Sequence, residues 1–426
     1  MKKLFIFVWL FILVSCAKTY DPLTGKHVYT LLPEEKELEL GELYVPLAID
    51  QNDGRYPDKE VQQYVVSIGK KIEKVVPRKL PYEFFVVNSP IVNAFALPGG
   101  KIFVNIGLLY VLENESQLAG VIGHELAHVN ARHHARFLEK QYGIAILFNI
   151  LAILLANQKS ADIFLQFGKI GAQLLTLKYS RDQEREADRL GVKFAYEAGY
   201  DPTGLLETFL IFKKLGNTNA PEWLLTHPLP ENRYKEIKKL LSKYDLSKKH
   251  LIKDTKQFHY IKNKVLKYKK SYDLMKEAKT LISKKKYNQS LNLLNQSIKI
   301  YPQNNASLTY RAIIYTIKRD YKKAYKDAKK ALEIDPMFFK PHLIAGISLN
   351  RLKNYRESLT YLEKAKELIP SFPDTYYYLG LDYEYLGDYK KAIENYQMAL
   401  KLSDGKRGWE ADAKRRLIRL KKLLYY

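Results

Sequence analysis

Residues 121–128 read Val121-Ile122-Gly123-His124-Glu125-Leu126-Ala127-His128, inside a segment beginning near Glu115 whose pattern predicts an α-helix. Four residues along a helix bring His124 and His128 onto one face, where two imidazole nitrogens can share one zinc ion. Glu125 lies beside them, placed to take a proton from water. A five-residue pattern can arise by chance, so its weight comes from the segments around it.

A zinc site needs a further ligand, and two segments offer one. His134 stands where the pattern HExxHxxGxxH would put a third histidine, but Ala131 occupies the position of the glycine that lets such a chain turn. At about 100° per residue a continuing helix carries His134 away from His128. His133 and His134 are therefore expected at the surface or behind the ligands. The rival segment is Tyr179-Ser180-Arg181-Asp182-Gln183-Glu184-Arg185-Glu186-Ala187-Asp188, which opens a helix running on through Gly191 and Phe194. Glu184 and Asp188 share a face, so one can bind zinc while the other accepts a hydrogen bond from a ligand histidine and fixes its tautomer. Ala187 and Gly191 lie near that face and permit close packing on the first helix, whereas Glu186 is expected to point elsewhere.

Upstream, Asp58 to Val76 starts with a capping aspartate and aligns Val61, Tyr64, Val65, Ile68 and Ile72 as the stripe of an amphipathic helix. Tyr82–Val87, Val92–Leu97 and Lys101–Ile106 are short β-prone runs separated by Asn88-Ser89-Pro90 and Pro98-Gly99-Gly100, which predicts a small antiparallel sheet. Tyr142 to Ala156 is uncharged but shorter than the roughly 20 residues that span a bilayer; it reads as a buried core helix or, with Ile163–Leu175, as a hairpin covering a cleft or touching lipid.

Downstream the fold changes. Tyr287, Tyr321, Tyr355 and Tyr389 recur every 34 residues, as do Ala278, Ala312, Gly346 and Gly380, and likewise Ser290, Ala324, Ser358 and Ala392. Ser297, Ala331, Ala365 and Ala399 form a fourth column, and Pro302, Pro336 and Pro370 close three of the repeats. Small residues let paired helices approach and proline ends the second helix. The pattern resembles tetratricopeptide repeats, with Trp409–Leu424 as a capping helix. The expected class is α+β, a mostly helical first domain with a small antiparallel sheet, followed by an all-α repeat solenoid.

The chain opens Met1-Lys2-Lys3, then an apolar run from Leu4 to Val14, then Ser15 and Cys16, a secretory signal too short to cross hydrocarbon. Leu13-Val14-Ser15-Cys16 resembles the lipobox of bacterial lipoproteins, and Cys16 is the only cysteine among 426 residues. Any metal must then sit on histidine and carboxylate, and a membrane tether by lipid on Cys16 is expected, with the body in water. Ala17 in place of aspartate favours, by that resemblance, the outer membrane and a periplasmic body. Export also excludes nucleic acid as the partner that a net charge of +24 would otherwise suggest, and leaves anionic lipid or acidic protein surfaces.

Val92-Asn93-Ala94-Phe95-Ala96-Leu97-Pro98-Gly99-Gly100, His124–His128, Ser180–Asp188 and His227-Pro228-Leu229-Pro230-Glu231-Asn232-Arg233 together resemble the periplasmic BepA-type branch of the HtpX and CAAX-prenyl-protease superfamily of gluzincins. The resemblance implies one zinc ion per chain on His124, His128 and Glu184, with Glu125 as general base. Asp188 would support a ligand histidine or donate a proton, and His227 would reach the metal as a plug that keeps the protease latent. It implies unfolded or misassembled envelope proteins as substrates and outer-membrane assembly machinery as a partner of the repeats. The rival reading is a repeat-based chaperone or assembly factor in which proteolysis is secondary. The expected division is a signal over 1–16, a protease domain over 30–245, a helical linker over 246–270 and repeats over 271–426.

Overall fold

The computed structural model describes residues 17–21, 26–30, 32–141, 161–216, 221–228, 231–246 and 250–425. Cys16 and the apolar stretch 142–156 lie outside the described residues. A two-stranded hairpin, β1 (Ala17–Asp21) and β2 (Lys26–Thr30), precedes a helix over Glu34–Gln51. The next helix spans Lys59–Glu73, and Asp58 caps it by accepting from the amides of Glu60 and Val61. Its predicted stripe of Val61, Tyr64, Val65, Ile68 and Ile72 is buried.

Three short strands follow: β3 (Glu83–Val87), β4 (Ala94–Leu97) and β5 (Lys101–Asn105). The sheet is mixed, which corrects the expected antiparallel one. Its order is β3-β5-β4, with β4 antiparallel and β3 parallel to β5. Only the Pro98-Gly99-Gly100 turn, with both glycines at positive φ, closes a hairpin. The Asn88 side chain is instead held by Asp53 O, Arg55 O and Asn305 Oδ1, so the chain leaves the sheet there and re-enters at the opposite edge. Local turn chemistry specifies a change of direction; tertiary bonds choose the neighbour.

Beneath the sheet lie the helices Glu115–Asn130, Arg181–Glu197 and Gly204–Gly216, packed around one apolar core. That core does not stop at residue 245. The helix Lys256–Lys267, in the segment expected as a linker, adds Phe258, Ile261 and Val265 to it, and Tyr272, Met275 and Ala278 extend it into the first repeat.

The repeats are helix pairs Lys269–Ser283 with Tyr287–Ile300, Asn305–Ile317 with Tyr321–Ile334, Phe339–Arg351 with Tyr355–Leu368, and Pro373–Tyr385 with Tyr389–Leu402, capped by Glu410–Tyr425. The small-residue columns are where paired helices touch. Ser290 Oγ donates to Ala278 O and Ser358 Oγ to Gly346 O, while a Cβ on Gly380 would lie 2.7 Å from the Tyr396 ring. Buried polar contacts fasten the repeats to the first domain: Lys340 to Asp50, Lys279 and Tyr310 to Asp53, and Arg55 to Asp335.

Candidate metal centre

The Glu115–Asn130 helix begins at Asn114, whose side chain accepts from the Gln117 amide, and is buried along its whole length. The Arg181–Glu197 helix begins with a capping box of Ser180 and Gln183. The two cross at Gly123 and Gly191, where a Cβ on Gly123 would lie 2.9 Å from Gly191 O and one on Gly191 would lie 2.8 Å from His124 N. Backbone contact this close is what brings His124 and His128 against Glu184 and Asp188.

The loop carrying His227 completes a four-residue cluster with His124, His128 and Glu184, all buried. His124 Nε2 lies 3.0 Å from His128 Nε2 and 3.3 Å from His227 Nδ1. Glu184 approaches His227 Nδ1 at 2.9 Å, His128 Nε2 at 3.6 Å and His124 Nε2 at 3.7 Å. Metal–nitrogen bonds of about 2.0–2.1 Å set the edge of a zinc tetrahedron at about 3.3–3.4 Å. The separations quoted lie near that edge, and one ligand atom from each of the four residues lies within 4.8 Å of the others, so the donor set fits a zinc ion in chemistry and approximately in size.

The outward ring atoms are tied down. His124 Nδ1 lies 3.1 Å from Asp188 Oδ1, and Arg233 grips both Asp188 oxygens while a further nitrogen reaches Glu184 Oε2 at 2.7 Å. Burial alone would raise the Asp188 carboxyl, but Arg233 and His124 hold it below its ordinary range, so it stays ionised. Burial would also raise Glu184, yet His227, His124 and Arg233 bring it down. His227 shows the mirror case: burial lowers the imidazole, and the Glu184 and Glu125 carboxylates more than restore it.

Glu125 lies at the same centre. Its Oε1 accepts from Trp223 Nε1 at 3.3 Å and lies 3.6 Å from His227 Nε2, and burial raises its carboxyl. Trp223 also stacks on the His227 ring at 4.5 Å and 17°, and its amide donates to Val92 O beside β4.

The structure thus brings together His124, Glu125, His128, Glu184, Asp188 and His227. Of the two places expected for them, His133 and His134 take the buried one, His133 directly behind His128, because the helix stops at Asn130 and Arg132, at φ 55°, redirects the chain. His134 Nε2 meets Ala96 O at 3.0 Å and Tyr179 Oη at 2.8 Å, away from the cluster, and burial beside His133 holds its pKa down to about 3. Glu186 points away from the four-residue cluster, as expected, and meets His133 Nε2 at 3.1 Å.

Sequence reasoning also passed over Trp223, Arg233 and Tyr179, whose ring stacks on His128 at 3.7 Å. Arg233 closes the run that begins at His227, and Trp223 is one of three tryptophans in the chain, so each carried a faint signal.

Residues 57–241 match the model of peptidase family M48, and residues 373–404 match the tetratricopeptide repeat. The chain is 32% identical over 224 residues to the beta-barrel assembly-enhancing protease of Escherichia coli (strain K12), covering 50% of this chain and 45% of that protein. It is 38% identical over 156 residues to the mitochondrial metalloendopeptidase OMA1 of Arabidopsis thaliana, covering 37% of this chain and 31% of that one. The chain spans less than half the length of these two relatives. Among solved structures, MamA from Desulfovibrio magneticus RS-1 is 20% identical with a TM-score of 0.30, over 37% of this chain and 98% of that one.

Proposed function

We propose that this chain, which carries a peptidase family M48 domain followed by tetratricopeptide repeats, is a zinc-dependent endopeptidase of the cell envelope. The observation that carries the reading is the spacing of His124, His128, Glu184 and His227, with ring and carboxylate atoms 2.9 to 3.7 Å apart. His124, His128 and Glu184 would hold the metal. Bound zinc supplies a Lewis acid that polarises the peptide carbonyl and makes water easier to deprotonate.

The remaining work falls to the chain's own side chains. Glu125 accepts a proton from the attacking water at Oε2, which makes no hydrogen bond among the described residues, and the burial that raises its carboxyl suits it to do so near neutral pH. Asp188, kept ionised by Arg233, orients His124 rather than donating a proton. A substrate strand can add to the edge of β4 at Ala94, whose backbone groups face away from β5 because Asn93 O is bonded to the Asn105 amide, whereas Ala96 O is already met by His134 Nε2. His227 would fill the fourth corner of the site, and Trp223, which donates to Glu125 Oε1 and to Val92 O, covers the base, contacts that support a latent enzyme.

The substrates are misfolded or stalled envelope proteins, delivered or held by the repeats, and Cys16 tethers the body to the outer membrane from the periplasmic side. A chaperone or assembly role for the repeats is the rival, and one variant separates them. Glu125→Gln should keep zinc and client binding while losing casein digestion. Digestion that persists in Glu125→Gln would overturn Glu125 as the base, and a purified chain that neither takes up zinc nor digests casein would overturn the protease reading.

A further inference from the structure

Resting on the reading of His128 as a zinc ligand, we propose that His133 and Glu186 are a positioning pair that sets the tautomer and ring angle of His128. His128 turns Nε2 toward the cluster and Nδ1 toward His133, whose Nδ1 lies 2.8 Å away. Two ring nitrogens at that distance share one proton. For His128 to present a lone pair at Nε2, the proton must sit on its Nδ1 and be donated to His133 Nδ1. His133 then carries its own proton on Nε2, and that atom faces Glu186 Oε2 at 3.1 Å. Glu186 is held in turn by Arg136 at 3.2 Å. Carboxylate, imidazole and imidazole therefore form a chain in which only one ordering of protons leaves His128 ready to bind a cation.

The two proposed ligand histidines are thus supported differently. His124 leans on the Asp188 carboxylate, which Arg233 fixes. His128 reaches its carboxylate through a second imidazole, because the chain reversal at Arg132 puts a ring behind it. That reversal is locked by Glu37, which accepts from Arg132 Nε at 2.5 Å, and by Arg132 Nη2, which donates to Thr30 Oγ1 at 3.2 Å. His133 has no exposed surface, and both of its ring nitrogens are committed to this chain.

The test is zinc affinity of the full chain, by chelator competition, with the cobalt(II) ligand-field spectrum as a second readout. His133→Phe keeps the ring volume but cannot accept, and should weaken zinc binding about 10- to 100-fold and shift the cobalt spectrum. Glu186→Ala should act in the same direction by a smaller factor. The double variant should be no weaker than His133→Phe, since Glu186 acts only through His133. Should His133→Phe fail to fold, Glu186→Ala carries the test, because its side chain is 27% exposed. Parent-like affinity and spectrum in either folded variant, or additive losses in the double, would overturn the pair. A parent chain that binds no zinc would instead overturn the protease reading.

Discussion

Arg233 and Asp188 form a buried two-point contact: Nε donates to Oδ2 and Nη2 to Oδ1, each at 2.7 Å. The arginine comes from the helix that follows His227, so the contact ties the loop carrying His227 to the helix that carries Glu184. Removing one partner of a buried ion pair strands the other charge, a loss of about 3–5 kcal/mol. Arg233→Ala should therefore lower unfolding stability by that order in urea titration and weaken zinc binding as well. Arg233→Lys should not rescue, because an ammonium cannot make both bonds. A stable, zinc-replete Arg233→Ala protein would show that Asp188 and Glu184 need no cation.

Glu184 and His134 make opposite predictions. Glu184 lies within the cluster, whereas His134 Nε2 is occupied by Ala96 O and Tyr179. Glu184→Ala should lose most bound zinc, and His134→Ala should retain it, as read by metal analysis after dialysis. The reverse result would assign the third ligand to the histidine.

His227 governs latency in this scheme. A catalytic zinc keeps one position open for water, and a fourth protein ligand closes it. His227→Ala should raise casein digestion and self-cleavage, and should do so only with Glu125 intact. A folded, zinc-loaded but inactive His227→Ala protein would make the imidazole a participant in the reaction instead of a block.

Asp382 offers a pH test remote from the site. It is buried between repeats with Asn350 Nδ2 on Oδ1, and burial pushes its pKa up to about 7 despite the bond from Asn350. Because the folded value lies above the ordinary 3.8, the folded state holds this proton more tightly than the unfolded one. Its contribution is therefore greatest at low pH, falls as pH rises from about 4 to about 7, and is level above that, with a ceiling on the order of 4 kcal/mol. Asp382→Asn should be more stable than the parent at pH 8 and equal to it near pH 4. Parallel pH profiles for the two proteins would refute the assignment.

Cys16 can be tested without reference to catalysis. Cys16→Ser should release the protein from membranes or leave the leader uncleaved. Unchanged processing and continued membrane association would remove the lipid tether.

Much of this molecule could be read from spacing. Helical periodicity put His124 and His128 on one face and paired Glu184 with Asp188, while the 34-residue columns marked the contacts between repeat helices. These are local properties, since the turn of a helix and the size of a side chain are carried by neighbouring residues. Three features lay beyond that reach. β3 pairs parallel with β5 because Asn88 is captured by residues from distant segments. Arg233 meets Asp188 across 45 positions of chain through a loop whose path no periodicity describes. His133 stands behind His128 only because Arg132, held by Glu37 and the Thr30 segment, adopts a left-handed conformation that its own preferences disfavour. The sequence by itself determined which residues can bind a metal and which elements carry them; the tertiary structure decided what stands behind each ligand, since long-range contacts can override local backbone preference and local sequence does not encode them.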